Sequence, residues 1–195
     1  GPMNVAVSNA QDKINFKLHQ EVQKLVELVQ QGAAQALSFD RMERSVFDSV
    51  LALGHAAMEG FIQLQGAGDL GVHVINDDGR TLRRSEEPVQ RIIRSVFGEH
   101  RFDAYVYSPG PKMKIEMRPI DARMELPEGQ QSYLYQEFSQ LFCVEQAFGQ
   151  ACRAFATIFK QNPSVDTFER INQRMGEQAE EFLDNLPTPP AAEEA

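Results

Sequence analysis

Apolar positions in residues 11–37 recur at Leu18, Val22, Leu25 and Val29, a narrow seam on an otherwise polar run. That spacing predicts a helix whose seam suits a partner helix. Residues 39–65 predict a second helix, with Asp40 placed as its N-cap. Its apolar positions form two adjoining stripes, Val46, Val50, Leu53, Ala57 and Leu64 beside Phe47, Leu51, Met58 and Ile62. A helix apolar over so wide an arc is either central to a core or buried in a dimer. Two readings of this arm stand: an intramolecular hairpin, and dimerisation through Leu18, Val22, Leu25, Val29, Val46, Val50 and Met58. GAGDLG, 66–71, ends the second helix.

From residue 71 the period changes to two. GVHVINDDGRTLRR places two short strands around Asp77-Asp78-Gly79, a hairpin signal. VQRIIRSVF, a turn at Gly98-Glu99, RFDAYVYS, a turn at Pro109-Gly110-Pro111, and KMKIEMRPI follow. Phe102, Ala104 and Val106 alternate with Arg101, Asp103, Tyr105 and Tyr107. Met113, Ile115 and Met117 alternate with Lys112, Lys114, Glu116 and Arg118. This pattern predicts one small antiparallel meander with a basic, tyrosine-bearing outer face, covered by the flanking helices.

From Gln130 the helical period returns in YLYQEFSQLFCVEQ, FGQACRAFATIFKQ and SVDTFERINQRMGEQAEEFLDNL. Asn162-Pro163-Ser164 reads as a helix start, with Ser164 as N-cap and Asp166 in the first turn. The predicted helix buries Phe168, Ile171, Met175, Ala179 and Phe182, and its opposite edge carries Thr167, Arg170, Gln173 and Arg174. PTPPAAEEA, 187–195, reads as an extended linker. The expected division is 1–2 as the remnant of a cleaved tag, 3–66 helical arm, 67–120 sheet, 121–186 three-helix unit, then the linker. The fold class expected is α+β.

Composition changes this picture little. At 195 residues and 42% hydrophobic the chain supports one large domain or two small ones. No apolar run reaches the ~18 residues of a membrane span. The stretch after Met3 lacks a basic start and an apolar centre, so a cytoplasmic, membrane-free protein is expected. Cys143 and Cys152 stand nine apart in helical sequence, on opposite faces, and read as reduced thiols. His19, His55, His73 and His100 are scattered, and neither metal nor cofactor is expected.

The net charge of −9 is unevenly spread. Residues 175–195 carry six acids and no base, and residues 80–118 carry nine bases against five acids. A basic middle makes nucleic acid a candidate partner despite an acidic whole. Arg83, Arg84, Arg91, Arg94, Arg101, Lys112, Lys114 and Arg118 are the candidate phosphate contacts; the bland reading is a solvated sheet face. On the helix after Ser164, Arg170 and Arg174 suit guanine or phosphate and Gln173 suits adenine. There the bland reading is that the two arginines pair with Asp166, Glu169 or Glu177 on a solvated face. No Gly-rich phosphate loop, nucleophile elbow or Cys–His signature points to an enzyme. Asp121-Ala122-Arg123 reads as a structural ion pair.

LALGHAAMEGFIQLQGAGDLG, DGRTLRRSEEP, RSVFGEHRFDAYVY, PIDARMELPEGQQSYLYQEF, CVEQAFGQA, SVDTFERINQRM and PPAAEE, in that order, resemble the N-terminal region of the ISKra-four family of bacterial insertion-sequence transposases. The PIDAR–LPEG–SYL and SVDTFER–NQRM blocks are the most specific, and the first 39 residues match least. In that family an Asp-Gly-Lys-Gly strand, taken to open an RNase-H-like catalytic core, follows the acidic linker. The resemblance therefore implies a non-catalytic piece that binds the double-stranded inverted repeats at transposon ends and pairs two transposase molecules. The three predicted helices of 121–186 are read separately, from their pattern, as a unit resembling a helix-turn-helix. The alternative is a stand-alone oligomerising or regulatory protein, able to pair with a full-length transposase, that does not read DNA sequence.

Overall fold

The computed structural model describes residues 2–145, 148–161, 170, 171, 173, 174, 176 and 177. The chain is α+β and divides into two compact units, 1–132 and 133–195. The helical arm and the sheet region thus share the first unit.

Two helices, α1 (Pro2–Ala34) and α2 (Phe39–Leu64), open the chain. Ala36, in a left-handed conformation at φ 50°, turns the chain between them. Ser38 caps α2, its hydroxyl accepting the Arg41 N–H at 3.3 Å. The expected cap, Asp40, instead sits in the first turn and pairs with Arg44 at 3.1 Å. Both residues satisfy cap chemistry, and the extended backbone at Ser38 decides between them.

The helices pack as an antiparallel hairpin. A side chain added at Gly60 would meet Ile14 at 2.8 Å, and one added at Gly32 would meet Met42 at 2.7 Å. These glycines set the close approach at the two ends of the seam. On its other face α2 meets the strands, where Gly54 leaves room for the Phe97 ring.

Five strands follow: β1 (His73–Ile75), β2 (Thr81–Arg84), β3 (Val89–Ser95), β4 (Gly98–Ala104) and β5 (Tyr107–Ser108). The hairpin expected around Asp77-Asp78-Gly79 joins β1 to β2, with Asn76 Oδ1 accepting the Arg80 N–H and Gly79 at φ 75°. The expected single meander is two sheets, β1-β2-β5 and β3-β4. RFDAYVYS divides because its first half pairs with β3 while Tyr107 and Ser108 pair with Arg84 and Arg83 of β2. The turn expected at Gly98-Glu99 falls at Val96-Phe97, and Gly98, at φ 132°, opens β4.

No strand forms over 112–118, despite the alternation there. Lys112 turns left-handed at φ 59°, and the Tyr107 carbonyl accepts both the Glu116 and Met117 N–H groups. One bridge, Met117 to Tyr107, replaces the expected ladder. Leu82, Ile93, Val96, Ala104, Val106, Tyr107 and Ile120 are buried in this unit, Ile120 from the short helix α3 (Pro119–Arg123).

The second unit contains α4 (Tyr133–Glu145) and α5 (Phe148–Phe159). Phe155 lies 4.7 Å, centroid to centroid, from both Tyr135 and Phe159. Phe138 stacks on Phe159 at 5.6 Å, so an aromatic row joins the two helices. Residues 170, 171, 173, 174, 176 and 177 are helical, with Ile171 buried as expected. The start signal at 162–164, Phe168, Met175, Ala179, Phe182 and the linker lie outside the described residues. Cys152 is a free, half-buried thiol whose pKa burial raises; Cys143's side chain lies outside the description. Among the described residues no helix is long and apolar enough to cross a membrane.

Candidate nucleic-acid interface

The basic residues of 80–118 divide by what lies beside them. Arg91 is buried: its guanidinium donates to Asp121 at 3.0 Å and to the carbonyls of Pro127 (2.7 Å), Gly129 (3.0 Å) and Ile92 (2.8 Å). It is a strut that fastens the 121–129 segment to β3, so it does not offer its charge to phosphate. Asp121 pairs with this arginine, which corrects the reading of an Asp121–Arg123 pair.

Three more of the expected contacts are neutralised nearby. Arg84 pairs with Asp69 at 2.6 Å and lies 4.7 Å over the Tyr105 ring. The Asp69 hydrogen bond raises the Arg84 pKa, and the same bond holds the Asp69 carboxyl below its ordinary range. Arg94 and Arg101 converge on Glu99, at 3.7 and 2.9 Å. Tyr107 does not face outward. It is fully buried, its hydroxyl accepting the Leu70 N–H and donating to the Gly71 carbonyl, both at 2.8 Å.

Arg83, Lys112, Lys114 and Arg118 are different. All four are exposed and pair with no carboxylate among the described residues. They line two adjoining clefts. One, of about 400 Å³, holds Arg83 and Lys112 beside the hydroxyl-bearing Ser85 and Ser108 and the carboxylate of Glu86. The other, of about 870 Å³, holds Lys114 and Arg118 beside Gln90, Asp121 and Glu128. Ile115 lines both, so Lys112, Lys114 and Arg118 follow one another along the non-strand segment 112–118, with Arg83 of β2 across the smaller cleft from Lys112.

Comparison with known proteins finds no matching family model, no matching curated protein and no matching solved structure.

In the second unit Arg170, Gln173 and Arg174 are helical and exposed, while Ile171 is buried. Gln173 donates to Glu177 at 3.3 Å, one turn on. Ser164 and Thr167 lie outside the described residues.

Of the seven expected dimer contacts, Leu18, Leu25, Val46 and Met58 are half-buried in the first unit, and Val22, Val29 and Val50 are exposed. Val26 and Phe47 are exposed with them. At about 100° per residue, the exposed valines of α1 lie to one side of its seam, as Phe47 and Val50 do on α2. Because the helices run antiparallel, both stripes share one flank of the hairpin.

The structure also joins two histidines that sequence reading left apart. His55 and His100 stack at 4.5 Å between centroids, and both face Glu59. The His55-x-x-x-Glu59 spacing was a readable signal for one helix face. Nothing local places His100 beside it.

Proposed function

We propose that this chain binds double-stranded DNA through its phosphate backbone and self-associates, as the DNA-end-binding, non-catalytic part of a transposase. Two supports meet here: the ordered sequence blocks resembling the ISKra-four transposases, and the strip of Arg83, Lys112, Lys114 and Arg118. The strip is the observation that carries the reading. Cations already paired with carboxylates have little to gain from phosphate, whereas exposed, unpaired ones release counterions on binding. Contacts of this kind position a protein on DNA without reading its sequence. Base readout is then the role proposed for Arg170, Gln173 and Arg174.

The test compares an inverted-repeat end with scrambled DNA of equal length across a salt series. Replacing the four strip cations with Ala weakens binding to both DNAs alike. Replacing Arg170 and Arg174 with Ala removes the preference for the repeat.

A second reading is favoured by the exposed flank of Val22, Val26, Val29, Phe47 and Val50. In it the chain is an oligomerising regulatory module without sequence readout. The two readings part on DNA binding at low salt, which this module lacks.

A further inference from the structure

We propose that His55, Glu59 and His100 form a binding site for a divalent transition-metal ion of the zinc class, with one coordination position open to solvent.

The three side chains come from two elements. His55 and Glu59 stand one turn apart on α2 and therefore share a face. His100, from β4, is almost fully buried. One donor atom from each lies within 4.8 Å of the others. Glu59 Oε1 is 2.8 Å from His100 Nδ1 and 3.7 Å from His55 Nε2. Donors sharing a tetrahedral zinc ion stand roughly 3.4 Å apart. Two of the three spacings therefore bracket the required value, and the third lies within 4.8 Å.

Hydrogen-bond chemistry gives the cluster a reason to take a cation. Ser95 Oγ lies 2.8 Å from His100 Nε2 and 3.3 Å from the Gly98 carbonyl, and it accepts the Phe97 N–H at 3.1 Å. When the hydroxyl proton goes to Gly98, Nε2–H donates to Ser95. His100 Nδ1 then points a lone pair at a carboxylate, an arrangement stabilised by a shared cation. A proton is one such cation. A metal ion is the other, and Ser95 then serves as the outer partner that fixes ring orientation and tautomer.

The site has room and access. A Cβ at Gly98 would stand 3.0 Å from His55 Cδ2, so glycine there preserves the space for the ring. His55 is the exposed member, its side chain 36% accessible, and marks the open side. Its Nε2 now donates to the Glu99 carbonyl at 2.9 Å; coordination moves that proton to Nδ1. Two imidazoles and a single carboxylate suit zinc, cobalt or nickel, whereas magnesium and calcium favour all-oxygen shells.

The test is calorimetric titration of the chelator-treated full chain with zinc, then cobalt, then magnesium, with the melting temperature followed in parallel. Expected are one equivalent of zinc, a four-coordinate cobalt absorption spectrum and no response to magnesium. His55→Ala and Glu59→Gln each weaken zinc binding at least tenfold; His73→Ala, at an exposed histidine outside the cluster, leaves it unchanged. Because His55 is partly exposed, its variant stays folded even if His100→Ala does not. Failure to bind zinc stoichiometrically, or zinc binding that survives His55→Ala, overturns the proposal.

Discussion

Arg91 of β3 reaches Asp121 of α3 at 3.0 Å, with side-chain exposures of only 10% and 19%. The same guanidinium caps three backbone carbonyls. Removing it leaves a carboxylate and several carbonyls without their donor in a partly dry place. Breaking such a pair from one side costs about 3 kcal/mol. Arg91→Ala is expected to lower unfolding free energy by about that amount in a urea titration. Its effect on DNA affinity, measured where both proteins are folded, is slight. An affinity loss equal to that of Lys114→Ala would contradict the structural role.

The α2–sheet contact turns on Gly54, whose added Cβ would stand 2.4 Å from the Phe97 ring. Helix propensity alone favours alanine by about 1 kcal/mol. Overpacking against the ring outweighs it, so Gly54→Ala loses about 1–3 kcal/mol net. Phe97→Leu in that background recovers part of the loss. A raised melting temperature in the single variant would show that the ring moves freely and that the contact is loose.

Asp69 has its pKa lowered first by the Arg84 hydrogen bond and then by the Gly71 N–H. A carboxyl lowered in the folded state binds fewer protons than its unfolded counterpart. The stability it contributes is therefore present above the ordinary value of 3.8 and is lost as pH falls through the folded value. An NMR titration of the Asp69 carboxyl is expected to show a midpoint below 3.8, returning toward it in Arg84→Ala. An unchanged midpoint would mean the pair does not persist in solution.

Val22 and Val29 are 46% and 50% exposed on one flank of the hairpin. Replacing both with Glu spares the α1–α2 packing at Ile14–Gly60 and Gly32–Met42 and makes that flank repel a second copy. Sedimentation at matched concentrations is expected to show a smaller species for the double variant. An identical mass distribution would remove this flank from any account of self-association.

Much of this was legible in the chain. The period of Leu18, Val22, Leu25 and Val29 marks α1, and Asp77-Asp78-Gly79 marks the β1–β2 turn, because local spacing and turn chemistry decide both. The 112–118 segment alternates like a strand, yet a strand also needs a neighbour with free ladder groups, and Tyr107 spends its carbonyl on two adjacent amides. The basic face misled for the same reason. Sequence counts charges, but Asp69 reaches Arg84 across 15 positions and Asp121 reaches Arg91 across 30. Only the fold separates spent cations from free ones. His55 and His100 are likewise joined by tertiary packing, although the helical His55–Glu59 spacing was visible.

The most direct test of DNA binding is the slope of log affinity against log salt for a duplex of fixed length. Four phosphate contacts give a slope of about −3.6, which flattens toward zero when Arg83, Lys112, Lys114 and Arg118 are all replaced by Ala. A variant that keeps the parent's slope and affinity would contradict the strip as the DNA-binding surface.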